Sequence, residues 1–336
     1  MLAYLRYLST RAVMWATTIF IAATVVFMVP HLVPGSPLNA VFSRLASMGG
    51  SLNAPLLIEQ YTEMFGLNRS LGDQYLSFLR QLAQGNLGFS ISHFPSHVTD
   101  VVLPSVPWTL GLLSVTTVFS WILGSLIGAV VGWRGERSPI FQALVPVALV
   151  LYTMPYYIVA LILIFLFAFR WPIFPLTGAY SVGLRPDLSL KFALDVLRHG
   201  ALPALSIIVV SLGWWFLSMR SLITTQKGED YILLAEAKGL PDGHILWRYA
   251  FRNALLPQAT GLALSLGHIV GGALITEVIF AYPGLGWVIY DAIKSLDFPV
   301  IEGSILLLIF AVATTNFVLD LAYPLIDPRI RQAGRE

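Results

Sequence analysis

The sequence predicts an all-α polytopic membrane protein with six transmembrane helices, and three observations carry that expectation. Of 336 residues, 57% are hydrophobic and only 11% charged, too apolar for a soluble domain of ordinary composition. Uncharged runs recur at Ala12–Val29, Val101–Trp133, Ser138–Phe169, Ala201–Met219, Ala254–Thr276 and Gly303–Leu319, and each can hold one helix of about 20 residues. No alternating barrel pattern appears, and backbone groups in hydrocarbon must be satisfied internally, so helices are the natural reading. The absence of cysteine excludes disulfides, thiolate metal sites and cysteine nucleophiles. A scattered formal charge of +2 gives no footprint for nucleic acid.

Taken in order, residues 1–32 form a short N-terminus and the first span. Met28-Val29-Pro30-His31 offers no small-residue cleavage site, so the span is expected to be retained. With the N-terminus inside, the inner segments 1–11, 132–139, 220–257 and the tail carry twelve Lys/Arg. The longer outer loops 33–103, 169–200 and 281–301 carry eight, which satisfies the positive-inside rule. Residues 33–103 are expected to form an external cap. Pro34-Gly35-Ser36-Pro37 makes a turn, and amphipathic helices follow near Asn53–Phe65 and Asp73–Leu82. Gly85-Asn86-Leu87-Gly88 then breaks the pattern.

The core, residues 104–324, holds the remaining spans, and 325–336 form a cytoplasmic tail. Gly124 and Gly128 are spaced for close helix contact, with Gly111 and Gly132 on the same span. Pro146 and Pro155 are expected to kink the third span statically, and Pro203 to open the fourth. His268 reads as the only ionisable group deep in a span, and Asp320 as a local ion-pair partner of a basic loop residue. Glu277 ends the fifth span, and Tyr282-Pro283-Gly284 turns the chain back toward the outer surface. Trp214, His268, Glu277 and Tyr282 are the candidates for a pathway or outer gate.

Between the fourth and fifth spans lies a polar island, Arg220–Pro257, holding nine of the 38 charged residues. Glu229 and Asp230 suit a helix start, Lys238 its end, and Gly239 a left-handed C-terminal turn. Pro241 suits the first position of a second helix running to about Leu255, with His244, Arg248 and Arg252 as one basic stripe. The read-out is a short helix, a turn and a second helix.

Asp230-Tyr231, Ala235-Glu236-Ala237-Lys238-Gly239-Leu240 and Arg248-Tyr249-Ala250-Phe251-Arg252-Asn253 resemble the signature loop of binding-protein-dependent ABC importer permeases. The match is to the first permease of the oligopeptide/dipeptide/nickel class. Pro34-Gly35-Ser36-Pro37, Tyr282-Pro283-Gly284-Leu285-Gly286 and Asp327-Pro328-Arg329 resemble the same class. One departure is from the general permease pattern and is usual for the peptide class, and one is from the class itself. Leu233, Leu234 and Ala235 occupy the usual Glu-Ala-Ala positions, and Ser36 stands where the class usually has Asp. The resemblance implies a type I importer permease with a cytoplasmic coupling helix. It would pair with a second permease, rest on two ABC ATPase subunits that hold ATP and Mg, and receive cargo from an external solute-binding protein. The residues implied to meet the ATPase are Tyr231, Ala235, Glu236, Ala237, Lys238, Gly239, Leu240, Arg248, Arg252 and Asn253.

The chain itself has no Gly-x-x-x-x-Gly-Lys-Ser/Thr loop, no His-Glu-x-x-His and no Gly-x-Ser-x-Gly elbow, so neither ATP binding nor hydrolysis is expected of it. No cofactor or metal is expected in the chain. Cargo is expected to be di- or oligopeptides, with cello- or chito-oligosaccharides as the alternative, since Trp108, Trp121, Trp214 and Trp215 could stack on sugar rings. A self-sufficient secondary transporter is the reading from another class, and it would need a charged path through the spans. The expected location is the inner (plasma) membrane of a prokaryote, with both termini cytoplasmic.

Overall fold

A computed structural model of the chain describes residues 2–32, 68–135, 138–268 and 274–326. Helices dominate it, and among the described residues the only β pairing is an isolated bridge between Phe89 and His97. The expected helix near 53–65, the Pro34–Pro37 turn and the tail from Asp327 lie outside the described residues. The chain divides into two compact units, Met1–Trp108 with Pro283–Glu336, and Thr109–Tyr282.

In the first unit, α1 (Leu2–Leu32) runs antiparallel to the last described helix, α13 (Phe298–Ile326). The direction follows from the pairings. Tyr7 Oη donates to the Asp320 carbonyl, Trp15 Nε1 to Thr314 Oγ1, and Ala23 and Val26 pack with Leu306. Asp320 is ion-paired as expected, but its partner at 3.2 Å is Arg11 on the first helix rather than a nearby loop residue. The second expected cap helix is α2 (Leu71–Ala83), capped by Ser70, whose hydroxyl accepts from the Asp73 amide. Its apolar face, Phe78, Leu79 and Leu82, lies on the α1–α13 pair, and Tyr75 Oη hydrogen bonds to Thr24 Oγ1 at 2.7 Å. Gly85 and Gly88 follow with φ of +73° and +83°, left-handed conformations that end the helix and turn the chain toward α3 (Val98–Val102). The segment after Tyr282 forms an amphipathic helix, α12 (Leu285–Ser295), packed on α13 and α3.

The second unit is built around two long helices, α4 (Val106–Arg134) and α7 (Leu190–Gln226). The glycines of α4 let the two backbones touch. A Cβ at Gly124 would lie 2.5 Å from Trp215 Cβ, one at Gly128 2.5 Å from the Phe216 carbonyl oxygen, and one at Gly132 2.9 Å from that of Arg220. Gly111 faces open space, so it takes no part in this contact. Helix α7 starts at Leu190, capped by Ser189, and carries Pro203 inside it, where the sequence reading had Pro203 opening the span. Polar residues Lys191, Asp195 and Arg198 extend the helix beyond the apolar run without breaking its hydrogen bonding.

The third expected span is broken rather than kinked. Helices α5 (Pro139–Thr153) and α6 (Tyr156–Ile164, continuing in wider π turns to Arg170) meet at 98°. Met154 is driven to ψ 132° ahead of Pro155, as sterics demand of a residue before proline, whereas Pro146 is absorbed inside α5. Both arms pack along α7. Among the described residues, four helices are individually long and apolar enough to cross a bilayer, and the bent pair makes a fifth candidate. The expected span 254–276 is helical in α10 (Phe251–His268) and α11 (Leu274–Ile279), with 269–273 outside the described residues.

Candidate functional site: the polar loop and the buried carboxylates

The polar island folds as two short helices seated on the second unit. Helix α8 (Asp230–Ala237) starts after Glu229, whose backbone is extended, and ends at Lys238. Gly239 then adopts φ +71°, and its amide donates to the Glu236 carbonyl, while the Leu240 amide reaches back to that of Ala235. This is the left-handed helix stop expected from the sequence. Pro241 is the residue before α9 (Asp242–Ile245) rather than its first position. A π-helical stretch at Leu246–Ala250 joins α9 to α10, so the second helix runs on past Leu255 into the span. His244, Arg248, Arg252 and Asn253 are all exposed, as a solvent-facing basic stripe should be.

The inward side of α8 is Ile232 and Ala235, buried with Ala129 and Trp133 of α4, Met219 and Ile223 of α7, and Ile245, Leu246, Ala250 and Ala254. Leu240 packs against the same cluster. Tyr231 is held there too, its hydroxyl donating to Gln226 Oε1, and Lys227 Nζ lies 5.7 Å from the centre of the Trp133 ring. Ala235, 3% exposed, therefore seats the helix and does not present a docking surface, which corrects its sequence-based assignment. The outward side is Asp230, Leu233, Leu234 and Ala237, positions i, i+3, i+4 and i+7 of one face, flanked by exposed Glu236 and Lys238. Leu233 and Leu234 are 52% and 57% exposed on a loop of polar composition. They were missed because Ile232-Leu233-Leu234 is uniformly apolar, and an eight-residue helix is too short for periodicity to say which of three neighbours faces in.

Of the described pathway candidates, the structure brings Glu277 and Tyr282 together. Trp214 is half exposed and lies 5.5 Å from the Tyr152 ring, while its neighbour Trp215 is buried in the α4–α7 contact and unable to stack on a ligand. Glu277 is fully buried, accepting a 2.7 Å hydrogen bond from Thr109 Oγ1, and its backbone carbonyl accepts from the Tyr282 amide at 2.8 Å. Burial, and secondarily the neighbouring Glu277 charge, push the Tyr282 phenol up to about 12. The His268 side chain lies outside the described residues. Glu302 of α13 and His199 of α7 are further ionisable groups within helices long and apolar enough to cross a bilayer.

A second buried carboxylate carries more structure than the sequence suggested. Asp297, fully buried ahead of α13, accepts from the Val300 amide, which caps that helix. The same carboxylate accepts from the Ser92 hydroxyl at 2.6 Å and amide at 2.9 Å, the Ile91 amide at 3.2 Å, and the Ser90 hydroxyl. One side chain thus fastens the 90–92 loop to the start of the last span. No sequence motif announces it, since its partners lie some 200 residues away.

Residues 122–332 match the family described as binding-protein-dependent transport system inner membrane component. The chain is 32% identical to the di/tripeptide transport system permease protein DppB of Pseudomonas aeruginosa (strain UCBPP-PA14), over 97% of this chain and 99% of that one. It is 31% identical to the dipeptide transport system permease protein DppB of Escherichia coli (strain K12), over 93% and 95%. The probable D,D-dipeptide transport system permease protein DdpB of the same strain is also 31% identical, over 96% and 97%.

Proposed function

We propose a function from one premise: this chain belongs to the family of binding-protein-dependent transport system inner membrane components. On that premise it is a permease subunit of an ABC importer and a multi-pass inner-membrane protein. Its cargo is di- or oligopeptide, the substrates for which its relatives are named. It forms the translocation pathway with a second permease, takes cargo from an external solute-binding protein, and is driven by two ATPase subunits that hold the ATP and Mg. The N-terminus and the α8–α9 loop face the cytoplasm, in keeping with the density of Lys and Arg in those segments.

The observation that carries this reading is the outward face of α8. A short helix whose inner side is locked into its own unit, while two leucines stand half exposed among charges, is built to be covered by another protein. Docking buries Leu233 and Leu234, and fully burying a leucine is worth about 1.5–3 kcal/mol relative to exposure, so the pair supplies an appreciable share of a subunit contact. Glu236 and Lys238 add charge-assisted hydrogen bonds at its edge. Because α8, the end of α4 and the end of α7 share one apolar cluster, displacement of the docked helix moves the spans with it.

Leu234→Asp and Gly239→Val, each reconstituted with the partner subunits in vesicles, test the reading. The first places a charge in the docking contact. The second forces a β-branched residue into a left-handed conformation, at a cost on the order of 1 kcal/mol, and so misaims the helix. Both variants are expected to insert normally and to lose peptide uptake driven by ATP. Wild-type uptake in both would remove the coupling role.

A further inference from the structure

Within the first unit, the 90–93 loop, α3, α12 and the start of α13 enclose a notch of about 190 Å³. Its walls are apolar, chiefly Val101, Val288 and Val300, with the indole of Trp287 on one side. Its polar groups are Ser92, His93, Asp291 and Asp297, and no lysine or arginine lines it. The two carboxylates differ in role. Asp297 is engaged by the hydroxyls and amides of 90–92, whereas Asp291 is exposed on α12. The notch is smaller than the roughly 300–1,000 Å³ of sites that enclose a whole small molecule. It is the size for one long side chain. Apolar walls, a tryptophan and an exposed carboxylate complement a lysine or arginine, whose stem packs on apolar groups while its cation meets π density and negative charge.

Because α1 and α13 are antiparallel, the notch lies at the end of their pair opposite Tyr7, Arg11 and Asp320. If the N-terminus is cytoplasmic, as in the function proposed above on which this inference rests, the notch opens to the outside. We propose that it receives one basic side chain of the external solute-binding protein, with Asp291 as the ion-pair partner and Trp287 as the stacking surface. Occupation places that side chain against both the loop fastened by Asp297 and the amphipathic helix ahead of the last span. The docked protein would therefore touch two segments that bracket membrane helices.

The test uses the complete transporter in lipid nanodiscs and its purified solute-binding protein, with affinity measured at several salt concentrations. Asp291→Lys is expected to weaken binding about tenfold or more and to flatten its salt dependence, and Asp291→Asn to do so less, as for loss of a charge at an interface edge. One lysine or arginine to glutamate change on the binding protein, found by scanning its basic residues, is expected to restore affinity to Asp291→Lys selectively. Unchanged affinity in Asp291→Lys, with the wild type binding normally, would overturn the notch proposal and leave the importer reading standing. Weakening without rescue by any such change would overturn the ion pair. A wild-type complex that binds no external protein would overturn both.

Discussion

At the scale of single residues, the contrast between Ala235 and its neighbours Leu233 and Leu234 shows what sequence could and could not deliver. Small residues in a signature loop look suited to close approach by a partner. Here the close approach is internal, and Ala235 is buried in one cluster with Trp133, Ile223 and Ala250 of its own unit. Gly239 was legible because only its φ of +71° was at stake, and left-handed geometry selects glycine directly. The glycines of α4 were partly legible. Their spacing announces a contact face, yet Gly111 has the same identity and faces open space. This separates two substitutions. Gly128→Ala drives a methyl against the Phe216 carbonyl oxygen at 2.5 Å and is expected to cost about 1–3 kcal/mol, read as a lower melting temperature of the purified chain. Gly111→Ala meets nothing within 4 Å and is expected to be neutral or slightly stabilising, because alanine is the better helix former.

At the scale of elements, helices announced by composition and caps came through well, and bends did not. Helix α2 follows from Ser70, Asp73 and an apolar face. The expected 73–82 misses its last residue, and its first two because the capping serine precedes an uninformative Leu-Gly pair. Pro146 and Pro155 carry the same local signal. What separates them is whether the helix hydrogen bond lost at proline is tolerated or the preceding residue turns extended, and the local sequence does not decide that. The Asp297 fastening is also an element-scale property, since it joins a loop to a helix terminus from opposite parts of the chain. Asp297→Ala removes the acceptor for the Ile91, Ser92 and Val300 amides and two hydroxyls. It is expected to raise hydrogen exchange of the 88–97 segment by tenfold or more while leaving α8 protection unchanged, consistent with about 1.5–3 kcal/mol for each hydrogen bond to a charged group. Equal protection in wild type and variant would show that the 90–92 loop is held by other contacts.

At the scale of the whole molecule, membrane class and helical architecture were legible from composition alone, because a bilayer admits few solutions for an apolar chain. Identity of the family was legible from the polar loop and the Tyr282-Pro283-Gly284 turn. The uncovered side of α8, proposed above as the ATPase contact, was not, since it depends on which side of an eight-residue helix its own protein covers. The central claim is that the uncovered side of α8 is the contact through which ATP hydrolysis reaches the membrane helices. The chain contains no cysteine, so single cysteines can be placed without background. The most direct measurement is crosslinking of Leu234→Cys and Ala235→Cys to the ATPase subunit, in the assembled complex, with a short thiol-reactive reagent. The account predicts efficient crosslinking from position 234 and almost none from 235. Crosslinking from 235 with none from 234, or labelling of 234 by a membrane-impermeant thiol reagent added to intact cells, would contradict it.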